Sequence, residues 1–296
     1  MIDSINMRVP VMAVQVEAEL AEDDPQLLAA AGLAAELSLP LWRGNKETAG
    51  VEFILHYRQN RLMLRSFLPD ANAEICVDFL SDKMKWRQGQ HLQKELLVRA
   101  VGGRKAKGQQ IVDGTAGMGQ DGFILAAAGF TVLMLENNPV IHALLKDGLQ
   151  RAESTTEPLL AAIANRLTLR QADSCDYFLQ TDQQTDQQTD QQTDQQTGAG
   201  DVVYLDPMFP ARKKSAKVNK NMQVLQTLLA RKSGDVNGED EELQQLLASA
   251  RRYARKRVVV KRPRLAPFLA GEKPDLQISG KSSRFDIYLS SPVRIS

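Results

Sequence analysis

The sequence predicts an α/β protein, with a doubly wound sheet of seven strands preceded by a small N-terminal α+β domain. Three observations carry this. A glycine-rich turn joins two apolar runs between Gly108 and Asn137, strand and helix signals alternate after it, and acids or amides close the apolar runs. Alternation of this kind builds a mostly parallel sheet, and ligands of such sheets sit outside the carboxyl ends of the strands.

Residues 1–84 read as the small domain. Arg8 to Val16 is apolar and β-branched enough for a strand. Asp24-Pro25 then opens a helix with an N-cap and a first-turn proline, running to Leu37. Glu52–His56 and Arg61–Phe67 alternate around Gln59-Asn60 as a hairpin, and Glu74 to Leu80 is a third strand candidate. Between Ser81 and Lys107 the composition turns basic around Trp86, and Gln90 to Val101 has helical periodicity. Such charges read either as a solvated helix face or as phosphate contacts beside a stacking ring.

Residues 85–296 read as the large domain. Gln110–Asp113 is its first strand, Phe123 to Gly129 a helix, and Thr131–Leu135, closed by Glu136, the second strand. Pro139 to Ala152 is a helix and Leu167 to Gln171 a strand closed by Asp173-Ser174. A tetrad Thr-Asp-Gln-Gln then repeats four times within 181–197. It has no apolar face to bury and is expected to be a flexible, functionally inert insertion. Asp201–Leu205 is a strand that ends in Asp206-Pro207-Met208-Phe209-Pro210, followed by the basic loop Arg212, Lys213, Lys214, Lys217 and Lys220. Glu239 to Arg255 is helical, Arg257 to Lys261 a strand, and Leu276–Ser279 with Phe285–Leu289 a closing hairpin.

The totals exclude several classes. The 37 basic and 36 acidic residues nearly cancel, so any nucleic-acid surface must be a local patch. Cys76 and Cys175 match no metal-ligand spacing and read as buried thiols in a reducing compartment. No run approaches the roughly 18 apolar residues of a membrane span, and the start lacks a basic flank, so a cytosolic protein without metal is expected.

The turn Gly114-x-x-Gly117-x-Gly119-x-x-Gly122 lets a ligand approach backbone, and Glu136, 19 residues after Gly117, is placed to accept from ribose hydroxyls. This is a nucleoside-binding unit. Asp113 and Asp121 beside the turn would repel a pyrophosphate and suit a cationic ligand. Asp113-Gly114-Thr115-Ala116-Gly117-Met118-Gly119 resembles the first motif of class I S-adenosylmethionine-dependent methyltransferases, whose Rossmann-like sheet has seven strands with an antiparallel last pair. The candidate cofactor residues are Gly117 in the turn, Gln120 and Asp121 for the methionine end, Glu136 and Asn137 for the ribose, and Asp173 and Ser174 for the adenine. Asp206, at the same rim, is a further candidate cofactor contact.

Asp206-Pro207-Met208-Phe209 resembles the [Asp/Asn]-Pro-Pro-[Tyr/Phe] motif of enzymes that methylate exocyclic amines of nucleobases, with Met208 in place of the second proline. A conjugated amine is a poor nucleophile; donating its N–H groups to a carboxylate and a carbonyl localises its lone pair. Asp206 is therefore the candidate catalytic residue, and Phe209 the face for a flipped base. Arg212, Lys213 and Lys214 are the candidate RNA contacts. Nearly the whole chain outside the tetrad repeat is similar to the ribosomal RNA small subunit methyltransferase J family. That resemblance implies transfer of a methyl group from S-adenosylmethionine to a guanine 2-amino group of 16S ribosomal RNA, free or in the small subunit. The residues themselves leave open an NAD(P)-dependent oxidoreductase, a methyltransferase of another nucleobase amine, and a non-catalytic RNA-binding protein.

Overall fold

The computed structural model describes residues 12–17, 19–44, 51–82, 84, 92–103, 108–186, 200–207, 220–229 and 236–290 (of 182–186, 220, 221 and 236–240 the backbone alone). In chain order the first elements are β1 (Met12–Val16), α1 (Pro25–Leu37), β2 (Leu41–Arg43), β3 (Phe53–Arg58), β4 (Arg61–Ser66), β5 (Ala73–Ile75) and α2 (Leu96–Val101). Then come β6 (Gln110–Asp113), α3 (Gln120–Ala127), β7 (Thr131–Glu136), α4 (Pro139–Glu153), α5 (Pro158–Ala164), β8 (Leu167–Gln171) and α6 (Ser174–Asp186). The last are β9 (Val202–Leu205), α7 (Lys220–Leu229), α8 (Val236–Tyr253), β10 (Arg257–Pro263), β11 (Leu276–Ser279) and β12 (Ser283–Leu289).

The chain divides into two compact units that interleave in sequence. One comprises Met1–Asp78, Asn138–Gly148 and Met208–Gly234, the other Phe79–Asn137, Leu149–Pro207 and Asp235–Ser296.

The first unit is built on a five-stranded sheet in the order β2-β1-β3-β4-β5. Asp24 caps α1 by accepting from the Gln26 N–H at 2.7 Å, with Pro25 in the first turn. The β3–β4 hairpin turns on Gln59 and Asn60, both left-handed (φ 52° and 56°), the twist a two-residue hairpin requires. Gly148 lies so close to Val77 that an added Cβ would stand 2.3 Å from its Cγ1.

The second unit carries the expected seven-stranded sheet, in the order β11-β12-β10-β9-β6-β7-β8, with β12 antiparallel to β10 and β11. Its central strands are buried in their middle stretches: Ile111, Val112, Val202–Leu205 and Val258–Val260 are almost fully buried, as strands covered on both faces must be.

Several expectations are corrected. The strand at Glu74–Leu80 covers only Ala73–Ile75. The helix at Gln90–Val101 is split into a 3-10 turn, Leu92–Lys94, and α2, with Glu95 in extended conformation between them. Strand β2 and helices α5, α6 and α7 were not expected. The tetrad repeat does not begin as an irregular loop, because Thr181–Asp186 prolong α6. Adding turns to an existing helix is cheap once its first turn is anchored, here by buried Phe178, and the Thr181 hydroxyl donates back to the Tyr177 carbonyl. Both cysteines are half-buried rather than buried.

Candidate active site

Successive strands run outward from β6 through β7 to β8, after which the chain returns to the other side of β6 as β9. The order reverses between β6 and β9, and ligands of such sheets bind outside the carboxyl ends at that point. The residues that close these strands are Asp113, Glu136 and Asp206, with Asp173 two residues beyond β8.

The glycine turn is held from both sides. The Gly114 N–H donates to the Tyr204 carbonyl at 2.9 Å, and the Ala116 N–H donates to the Leu135 carbonyl at 3.1 Å. Gly117 takes φ 53°, and a Cβ there would meet nothing nearer than the Thr115 carbonyl at 3.9 Å, so its backbone is open to a ligand. The Gly117 N–H donates to Oε2 of Glu136 at 2.9 Å, which locks the carboxylate at the tip of β7. Gln120 opens α3 and is exposed.

Asn137 and Asp173 are joined, Nδ2 donating to Oδ2 at 3.1 Å. Asp173 also caps α6 by accepting from the Asp176 N–H at 3.2 Å. The Ser174 hydroxyl points inward and donates to the Gly114 carbonyl at 2.5 Å, tying α6 to the turn.

On the β9 side the Asp206 N–H donates to the Thr115 hydroxyl at 2.6 Å, and the Asp206 carboxylate lies 2.8 Å from Nζ of Lys261. The same ammonium reaches Asp121 at 2.7 Å, and the Tyr204 hydroxyl donates to that Asp121 oxygen, also at 2.7 Å. Burial pushes the Asp206 carboxyl above the usual carboxylate range; Lys261 opposes that and Asp121 adds to it. Asp113, almost wholly buried, is pushed up to about 8 by burial, against the Thr115 N–H it accepts and with Asp121, Asp206 and Glu136 nearby. It is therefore neutral at neutral pH. The two carboxylates hold the Lys261 ammonium charged, above its ordinary range, although burial opposes them.

The structure thus brings together Gly117 with Glu136, Asn137 with Asp173, and Asp121 with Asp206. Phe209, Arg212, Lys213 and Lys214 lie outside the described residues, as does Trp86. Sequence reasoning missed Lys261, Thr115 and Tyr204. The signal for Lys261 was a lysine closing an otherwise apolar strand, whereas Tyr204 looked like core. Among the described residues no group of His, Cys, Asp or Glu could hold a metal ion, and no helix is long and apolar enough to cross a membrane.

Comparison with known proteins agrees with this geometry. The family model described as "Putative SAM-dependent methyltransferase" matches residues 42–290. The ribosomal RNA small subunit methyltransferase J of Thioalkalivibrio sulfidiphilus is 40% identical over 262 residues, 88% of this chain and 92% of that protein. Its namesake from Nitrosococcus oceani is 41% identical over 266 residues, 90% of this chain and 95% of that protein. The crystal structure of the SAM-dependent methyltransferase NGO1261 from Neisseria gonorrhoeae superposes with a TM-score of 0.65 at 30% identity, covering 94% of this chain and 96% of that one. Matched by that family model over most of its length and by these relatives at about 40% identity, the chain belongs to the ribosomal RNA small subunit methyltransferase J family of S-adenosylmethionine-dependent methyltransferases.

Proposed function

We propose that this protein transfers a methyl group from S-adenosylmethionine to the 2-amino group of a guanine in 16S ribosomal RNA, in the cytoplasm where small subunits are made. The observation that carries this is Asp206, a partly open carboxylate at the reversal point of the sheet, held by Thr115 and Lys261.

The residues fit the cofactor. The open Gly117 backbone and the Glu136 carboxylate would hold its ribose side, the joined Asn137–Asp173 pair its adenine side, and Gln120 the methionine end. A neutral Asp113 leaves this pocket less negative than its acids suggest. When bound, the cofactor supplies a methyl group activated by a sulfonium.

Asp206 accepts from the guanine amine and holds its lone pair in line with that methyl. The amine would bond to the methyl as the sulfur–methyl bond breaks, leaving a neutral thioether, and the acidic N-methyl cation would then release its proton to water. Asp206 therefore needs to position and not to act as a strong base. Phe209 would stack the flipped base, and Arg212, Lys213 and Lys214 would hold the flanking phosphates. A nicotinamide reading gains no support, since it leaves the Asp206–Lys261–Asp121 cluster without a role.

The test is single-turnover methylation of 16S RNA, free and in 30S subunits, with the methylated base identified by mass spectrometry. N2-methylguanine is expected with the wild type. Asp206→Asn, which turns a donor toward the amine, should lower kcat by on the order of 10²–10³ with KM for RNA little changed. A wild-type Asp206→Asn rate would sink the catalytic assignment, and a different methylated base the substrate assignment.

A further inference from the structure

One ammonium beside the ends of β9 and β10 serves two carboxylates that arrive from distant parts of the chain. Lys261 lies 2.7 Å from Asp121 and 2.8 Å from Asp206, and all three side chains are partly open, at 30%, 19% and 39% exposure. Folding does not call for this arrangement. Strand β10 is already registered to β12 from Arg257 to Pro263 and to β9 from Arg257 to Val260. Charge clusters withdrawn from water, moreover, are often replaceable by apolar side chains without loss of stability.

We propose that Lys261 is a positioning residue for methyl transfer: its shared ammonium keeps the Asp206 carboxylate in place as a charged acceptor for the substrate amine. This rests on the reading of Asp206 given above. The charged and titratable groups facing Asp206 among the described residues are Lys261 from β10, Asp121 from α3, Asp113 from β6 and Tyr204 from β9. Asp113 and Tyr204 are both held in their neutral, protonated forms by burial. Lys261 is thus the positive charge that offsets Asp121. Without it, Asp121 and Asp206 face one another across a partly desolvated gap, and one of them takes up a proton. A protonated Asp206 would present an O–H to the amine and draw on the lone pair that must attack.

Two substitutions should therefore move the pH profile in opposite directions. In Lys261→Met the acidic limb of the single-turnover rate, measured at saturating cofactor and RNA, should move up by one pH unit or more. At pH 7 the rate should fall about 10- to 100-fold, recover toward pH 9, and leave S-adenosylmethionine affinity within about twofold. In Asp121→Asn the ammonium belongs to Asp206 alone, and the limb should move down. Lys261→Arg, which keeps the charge, should restore most of the rate. A purely structural Lys261 would lower Tm and active fraction without moving either limb. If Lys261→Met does not fold, Asp121→Asn and Lys261→Arg decide by themselves, and an unmoved limb in Asp121→Asn overturns the proposal. Wild-type protein that methylates no guanine would instead overturn the proposed function.

Discussion

Asp113 sits beneath the glycine turn and shows what burial does to a single carboxyl. Its folded-state value of about 8 stands well above the 3.8 of a free carboxyl. The folded protein keeps this proton up to about pH 8, while the unfolded chain releases it near pH 4. Stability from this group is therefore complete below the unfolded value and is lost as pH rises through the folded one. Asparagine keeps the acceptor for the Thr115 N–H and has no proton to lose. Asp113→Asn should therefore raise Tm relative to wild type by an amount that grows from pH 4 to pH 8 and then levels off, as scanning fluorimetry of the cofactor-free protein would show. A constant difference would mean that Asp113 ionises normally. At Glu136 the expectation concerns binding. Losing a charge-assisted ribose contact costs roughly 1.5–3 kcal/mol, so Glu136→Ala should weaken S-adenosylmethionine about 10- to 150-fold by titration calorimetry. Unchanged affinity would remove Glu136 from the site.

Strand β12 illustrates how an element at the sheet's antiparallel edge is secured. Arg284 and Asp286 lie two apart on one face of β12 and pair through three bonds, Nε to Oδ1 at 2.9 Å and to Oδ2 at 3.2 Å, and Nη2 to Oδ2 at 3.0 Å. Arg284 Nη1 also donates to the carbonyls of Arg264 at 2.8 Å and Ala266 at 2.7 Å, and its guanidinium lies over the Phe268 ring. One side chain thus shapes the loop that follows β10. Removing it takes the cation from a carboxylate that is 0% exposed, leaving it the Gln277 amide, which donates to Oδ1 at 2.6 Å, and frees the loop carbonyls. Arg284→Ala should cost about 3–5 kcal/mol in urea denaturation. A cost below about 1 kcal/mol would show that the pair is dispensable.

For the molecule as a whole, a formal net charge of +1 provides no general attraction to RNA. Affinity must come from local clusters, and Arg212, Lys213 and Lys214 form three successive cations soon after the Asp206 tetrad in the sequence. Replacing all three with alanine should flatten the salt dependence of RNA binding by about two units of log–log slope, at ~0.7 per phosphate contact on single strands. Cofactor binding should be retained. An unchanged slope would assign the phosphate contacts elsewhere.

By itself the sequence determined the seven strands, the glycine turn and the acids that close the strands. Apolar runs ended by turn residues are local signals, and the same residues that form a strand also mark its end. Asp24-Pro25 and Gln59-Asn60 were legible for that reason, since a cap and a hairpin depend on neighbours in sequence. Helix α6 was not legible, because its second half is a polar repeat that becomes helical only by extending an anchored first half. Tertiary structure alone decided what the acids do. Asp121 and Asp206 stand 85 positions apart, and only the fold, which brings the first turn of α3 to the ends of β9 and β10, puts one lysine between them. The protonation of Asp113 was likewise decided there, because desolvation depends on everything packed around a carboxyl and not on its neighbours in the chain.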